Sequence, residues 1–410
     1  MNNPNLSVLL SFLLLSVCQT RPVETGLDRI SEYQHLFAGK RVGIVTNHTA
    51  YNSKNEHIVD VFGQLENVTV TALFAPEHGI RGHEEAGKQI QSESDPVKDI
   101  PIFSLYGKTR KPTEDMLTNF DILVFDIQDI GARFYTYIYT MALAMEAAAE
   151  QNKPFVVLDR PNPITGAYVE GNILEPEFAS FVGLYPIPVR HGMTVGELAT
   201  MFNKEGWLKN GVTADLTVVP MNHWQRSLWY DETGLRFIKP SPNMPDLASA
   251  TLYPGACLLE GTNVSEGRGT QTPFELFGAP WIDAKLLTQR LNELEVPGVA
   301  FRETSFTPVS MPGAAANPKY KNKECYGSTI MVTDRLRFSP YVMGLHIVRL
   351  IHEMYPDSLQ WHVGHFDRLC GSARVRETIL QEGGVSALQR RWQERLQGFM
   401  KMRQKYLMYD

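Results

Sequence analysis

Cysteine is scarce in this chain, four in 410 residues, and no two stand as C-x-x-C, so a zinc ribbon, a thioredoxin-type redox motif and a disulfide framework are all excluded. Positive charge is not in excess: the net charge is −6, and no basic stripe offers nucleic acid a footing. Repeats and low-complexity tracts are missing too. No G-x-G-x-x-G follows the first apolar run, where Thr46-Asn47-His48-Thr49-Ala50 stands instead, and the look-alike Gly267-Arg268-Gly269-Thr270 lies in an irregular region. A P-loop and a G-x-S-x-G elbow are absent, and His83-Glu84-Glu85 and His352-Glu353 each lack the second histidine of H-E-x-x-H. No cofactor and no metal are expected, and any chemistry has to come from side chains.

Long apolar runs are also few. Residues 6–17 form an apolar stretch too short to span a bilayer but of the length of a signal-peptide core. It ends in Leu15-Ser16-Val17-Cys18, which resembles a bacterial lipobox. The expectation is export, with residues 1–18 as the signal segment, a periplasmic destination and membrane attachment through a lipidated Cys18. Cys257, Cys325 and Cys370 then remain, too widely spaced for a framework, and read as buried structural thiols.

What the chain does have is a series of β-branched apolar runs, each ending in a polar knot. Arg41-Val42-Gly43-Ile44-Val45 runs into Thr46-Asn47-His48-Thr49, residues 68–74 into Pro76-Glu77-His78-Gly79, and residues 121–125 into Asp126-Ile127-Gln128-Asp129-Ile130-Gly131. Ile102-Phe103-Ser104-Leu105-Tyr106-Gly107 is a further strand and loop, and Phe155-Val156-Val157-Leu158 runs into Asp159-Arg160-Pro161-Asn162-Pro163. Separated by helix-length segments at 55–64 and 134–150, these predict an α/β fold, a Rossmann-like parallel sheet flanked by helices, over residues 37–165. In such a sheet the loops leaving the carboxyl ends of the strands open on one edge, so polar residues scattered in sequence are gathered in space. That makes the chain an expected enzyme.

Beyond 165 the pattern loosens into a second, α+β unit over 166–410. Thr194 with Glu197 reads as a capping box opening a helix, 216–219 as a strand, and 236–281 as a Pro- and Gly-rich stretch too loop-like for regular structure. Helices are predicted near 284–294 and 340–355, a strand at 328–332, and a terminal helix over 385–406 with Leu388, Trp392, Leu396 and Phe399 on one face.

Carboxylates are the leading chemical candidates. Glu77, directly at a strand end, is the candidate general acid, with helix capping or a bridge to Arg81 as its structural alternative. Asp126 and Asp129 share a loop with Arg133: either can be a second acid or base or bind sugar hydroxyls, and an ion pair with Arg133 weighs equally. Of His48, His78 and His191, each taken alone reads as a satisfied histidine, and only His78 gains from its place beside Glu77. Asn47, Arg160, Asn162, Glu170, Asn172 and Arg190, with the segment holding Glu260, Asn263, Glu266 and Arg268, complete the polar inventory; Arg190 or Arg268 can fork onto a carboxylate, or the segment can be a turn-rich structural loop.

Taken together, several strings resemble the NamZ-type exo-β-N-acetylmuramidases. They are Gly43-Ile44-Val45-Thr46-Asn47, Phe74-Ala75-Pro76-Glu77-His78-Gly79-Ile80-Arg81-Gly82, residues 125–133, Asp159-Arg160-Pro161-Asn162-Pro163, Pro240-Ser241-Pro242-Asn243-Met244-Pro245, and 259–281. Tyr406-Leu407-Met408-Tyr409 resembles the family's ending, so the likeness spans the chain. The resemblance implies release of N-acetylmuramic acid (MurNAc) from the non-reducing end of peptidoglycan fragments such as MurNAc-GlcNAc, in a cleft between a Rossmann-like domain and a smaller C-terminal one. Within it Glu77 is the implied general acid, and the second actor is Asp126, Asp129 or the substrate's own acetamido group. Arg160, Arg190 and Arg268 are candidate readers of the lactyl carboxylate. Two other classes stay open here: a non-catalytic muropeptide-binding lipoprotein, and a metal-assisted hydrolase using His78 and Asp126.

Overall fold

In the computed structural model residues 21–81, 93–94, 100–107 and 109–410 are described, and the signal-like segment with Cys18 lies outside them. Seven strands build the main sheet: β1 (Arg41–Thr46), β2 (Thr69–Ala75), β3 (Glu93–Ser94), β4 (Pro101–Ser104), β5 (Ile122–Asp126), β6 (Phe155–Leu158) and β7 (Leu216–Val219). Their order is β3-β4-β2-β1-β5-β6-β7, with β3 antiparallel at the edge and the other six parallel. β5 and β6 are buried at every position, which is why they read as unbroken apolar runs. Gly43 sits mid-strand because the Phe120 ring lies on it: an added Cβ would fall 2.6 Å from that ring. β7 pairs with β6, so this layered unit continues well past residue 165.

The helices are α1 (Ile58–Gly63), α2 (Glu114–Leu117), α3 (Tyr137–Glu150), α4 (Val195–Lys204), α5 (Leu247–Ala256), α6 (Ala284–Glu293), α7 (Pro340–Met354), α8 (Val363–Cys370), α9 (Ala373–Ile379) and α10 (Gly384–Arg403). α1 is shorter than the apolar pattern suggested, because Asn55 takes a left-handed φ of 61° and His57 caps the helix start. α3 is buried nearly all round, and α4 opens on the capping box read from Thr194 and Glu197. A second sheet, β8 (Leu276–Ala279), β9 (Val299–Phe306) and β10 (Cys325–Val332), is antiparallel in the order β8-β10-β9.

The stretch 236–281 is more regular than expected, since it holds α5 and β8. Pro254 and Gly255 read as helix breakers, yet both lie within α5, and Gly255 serves a close crossing of α5 on α7. A Cβ on Gly255 would lie 1.8 Å from the Pro340 carbonyl oxygen, and one on Gly344 would lie 2.3 Å from the Gly255 oxygen. α10 buries Leu388, Trp392 and Phe399 as its stripe predicted, and Cys257, Cys325 and Cys370 are buried free thiols. No helix among the described residues is long and apolar enough to cross a membrane.

Candidate active site

With the edge strand β3 set aside, the order β4-β2-β1-β5-β6-β7 places the reversal of chain direction across the sheet between β1 and β5. Ligands of open parallel sheets bind outside the carboxyl ends at that point. Asn47 leaves β1 there, and Gln128 and Asp129 leave β5. The two loops are stitched together: Asn47 Oδ1 accepts from the Thr49 N–H at 2.9 Å and hydroxyl at 2.6 Å, and Thr49 Oγ1 accepts from the Gln128 N–H at 3.0 Å. Gln128 Nε2 then reaches the Pro161 carbonyl beyond β6 at 2.8 Å. One rigid rim therefore runs across three strand ends.

Glu77 stands on the neighbouring strand end, after β2. Its turn closes by a Gly79 N–H to Pro76 carbonyl bond of 3.0 Å, with His78 at φ 72° and Gly79 at φ 73°. A non-glycine residue held left-handed is strained, and such strain gathers at functional sites. The Glu77 carboxylate is half-buried, and Oε2 accepts from the Thr136 hydroxyl at 3.1 Å. Thr136 is flanked by Tyr135 and Tyr137. Burial raises the pKa of both well above the ordinary tyrosine range, with Glu77 adding to the shift, so both keep their protons as donors. Tyr137 donates to the Pro240 carbonyl at 2.6 Å and His48 Nε2 lies 2.8 Å from the Lys239 carbonyl. Asn243 Nδ2 donates to the Ala314 carbonyl at 2.7 Å, so the 239–243 segment ties the strand ends to the C-terminal unit. Thr136, Tyr135 and Tyr137 escaped the sequence reading, although they sit directly beside its motifs.

Asp129 is buried, and its Oδ2 accepts from the Gly131 N–H at 2.7 Å. Gly131 has φ 85°, and a Cβ there would strike Asn162 Oδ1 at 2.4 Å. Asn162 in turn accepts from the Ile164 N–H at 3.2 Å and donates to the Met193 carbonyl at 3.0 Å. Asn162 thus braces the Asp129 turn from behind.

The other candidates are committed elsewhere. Asp126 has no exposed surface, and the Arg160 guanidinium forks onto both its oxygens, through Nε on Oδ1 and through Nη2 on Oδ2 at 2.9 Å. The two groups are thus spent on each other, which weighs against Asp126 as a free base or a ligand partner for His78 and against Arg160 as a free carboxylate reader. Arg133 pairs with neither aspartate; its two Nη atoms donate to the carbonyls of Asn172, Ile187, Leu369 and Cys370 at 2.6–3.1 Å. Arg190 is buried between the Tyr168 and Trp229 rings and donates to the Ile164 carbonyl. Arg268 is held by Glu260 at 2.7 Å and lies over Phe274, while Glu266 binds Lys319 at 2.9 Å. Asn263 is spent on Ser358 and Gln360, each at 2.9 Å. Of the candidates, Asn47, Glu77, His78 and Asp129 are the ones that stand at the strand-end rim.

Glu170, another candidate, is buried and accepts from the Val342 N–H at 2.9 Å, joining the two units. Burial pushes its carboxyl up to about 7, against the Arg190 charge that pulls it down. The folded chain therefore holds this proton more tightly than the unfolded one. Its contribution to stability is present in full below the unfolded value of 4.5 and is lost as pH rises through about 7. Relative to Glu170→Gln, the wild-type melting temperature should fall between those limits. A wild-type minus variant difference that stays constant with pH contradicts this.

Two family models match the chain: the N-terminal part of exo-β-N-acetylmuramidase NamZ over residues 42–248, and its C-terminal part over 251–409. The chain is 49% identical over 389 residues to a peptidoglycan β-N-acetylmuramidase NamZ of Bacillus subtilis, covering 94% of this chain and 91% of that protein. A crystal structure of a DUF1343 family protein from Bacteroides fragilis superposes with a TM-score of 0.86 at 37% identity, covering 95% of this chain and 99% of that one. A second from the same organism gives 0.77 at 34% identity, with the same coverage.

Proposed function

The chain belongs to the NamZ exo-β-N-acetylmuramidase family, and from that premise we propose that it is an exo-acting glycoside hydrolase which releases MurNAc from the non-reducing end of peptidoglycan fragments. The observation that carries the catalytic reading is Glu77, a half-buried carboxyl held by the Thr136 hydroxyl on a strained turn beside the sheet's switch point. Glu77 gives its proton to the glycosidic oxygen as the bond to the sugar's anomeric carbon breaks, and takes one from the water that completes hydrolysis. Asp129, fixed through Gly131, is the second carboxylate, facing the sugar. Asn47, Tyr135 and Tyr137 supply polar contacts around it. Muropeptides are the substrates in the same sense, as fragments carrying a terminal MurNAc.

A binding-only lipoprotein would bind MurNAc-GlcNAc without turnover. The test is a chromogenic β-MurNAc glycoside, assayed with and without EDTA: the reading expects release of the chromophore in both arms. Loss of activity on chelation points instead to a metal-assisted hydrolase.

The apolar segment 6–17 and Cys18 support export and a lipid anchor on Cys18, which suits a substrate found outside the inner membrane. The native protein should fractionate with membranes and be released by detergent. Cys18→Ser should give precursor or soluble periplasmic protein with unchanged turnover, since the rim residues begin at Asn47. Soluble wild-type protein with a mature N-terminus other than Cys18 contradicts the anchor.

A further inference from the structure

His191 has no exposed surface and stands directly under the Asp129 turn. The Met193 N–H donates to its Nδ1 at 3.2 Å, so Nδ1 carries no proton and the ring N–H is on Nε2. Among the described residues Nε2 makes no hydrogen bond, and it lies 3.7 Å from Asp129 Oδ2, the oxygen already held by the Gly131 N–H. Asp129 Oδ1 is likewise buried and makes no hydrogen bond among the described residues. Two adjacent buried polar atoms left unsatisfied are costly and call for an explanation. A structural histidine would spend its N–H on a fixed carbonyl. This one stands just short of hydrogen-bond reach of the rim carboxylate, 3.7 Å away, and hydrogen bonds in active sites often tighten only when substrate is engaged.

We propose that His191 is a positioning residue for the muramidase reaction, acting through Asp129. Its Nε2–H, 3.7 Å from Oδ2, closes on that oxygen when substrate engages and joins the Gly131 N–H in holding the carboxylate in the orientation it presents to the MurNAc ring. This rests on Asp129 facing the sugar, as proposed above. The sequence offered no sign of the pairing, because Asp129 and His191 are far apart in the chain and meet only when the strand ends are gathered.

The test is a double-mutant cycle on the chromogenic MurNAc glycoside. His191→Met, which keeps side-chain length without a donor, should lower kcat by about 10- to 100-fold, the scale of a misplaced catalytic group, with KM within threefold. His191→Gln, which places a donor near Nε2, should recover to within about fivefold of wild type. In an Asp129→Asn background, His191→Met should add less than about threefold, because the group it acts through is already lost. Equal losses in both backgrounds, or no recovery with Gln, make His191 merely structural and overturn the proposal. If Asp129→Asn alone keeps full activity, the placement of Asp129 in the site is what fails. Should His191→Met not fold, His191→Phe fills the same position in the cycle.

Discussion

Glu77→Gln should keep its melting curve and lose activity on a MurNAc glycoside by a factor on the order of 10² to 10⁴, the range for removing a positioned general acid. The amide still accepts from the Thr136 hydroxyl, 3.1 Å away in the wild type, and still fits the turn at His78 and Gly79, so little in the fold registers the change. What disappears is the proton that the leaving oxygen takes up. Substrate binding should persist, which separates a chemical defect from a broken site. Turnover within threefold of wild type, in protein with an unchanged melting curve, removes Glu77 from the mechanism.

The second large effect is on stability. Arg160→Ala strands the Asp126 carboxylate at zero exposure, with no other cation among its hydrogen-bond partners in the described residues. Breaking a buried pair from one side costs about 3–5 kcal/mol, because the remaining charge can neither reach water nor find a counter-ion. Asp126→Asn with Arg160→Met, which removes both charges and keeps volume, should recover much of that loss. Denaturant midpoints for the single and double variants measure it. If Arg160 instead reads the substrate's carboxylate, Arg160→Ala costs under about 1 kcal/mol and the penalty falls on KM. That outcome would restore the reading the sequence first suggested.

The contrast between those two residues explains what the chain discloses on inspection. The parallel strands were legible because a strand buried on both faces is apolar at every position, as β5 and β6 are. Glu77 and Asp129 were legible as strand-end residues for the same reason, since the end of an apolar run is easily seen. Partner choice was not legible. Asp126 ends β5 and Asp129 follows three residues later, and only the packing of β6 against β5 decides that Arg160 takes the first and leaves the second at the rim. Arg133, the nearest cation in sequence, turns out to hold four carbonyls instead.

Two elements were hidden by local chemistry. β9 lies at the edge of the small sheet with most of its side chains partly or wholly exposed, so its polar residues break any run. α5 is buried almost all round and carries Pro254 and Gly255, so it lacks both an amphipathic stripe and a clean composition. Its reason for existing is the close crossing on α7, a contact between segments roughly 90 residues apart that no window of sequence contains.

The most direct measurement sets the two isomeric disaccharides side by side. With MurNAc-GlcNAc and GlcNAc-MurNAc each incubated with the wild-type protein, chromatography should find free MurNAc and GlcNAc from the first and an intact second sugar pair, because an exo-acting muramidase needs MurNAc at the non-reducing end. Cleavage of GlcNAc-MurNAc at a comparable rate, or no cleavage of MurNAc-GlcNAc by folded protein, would contradict the account.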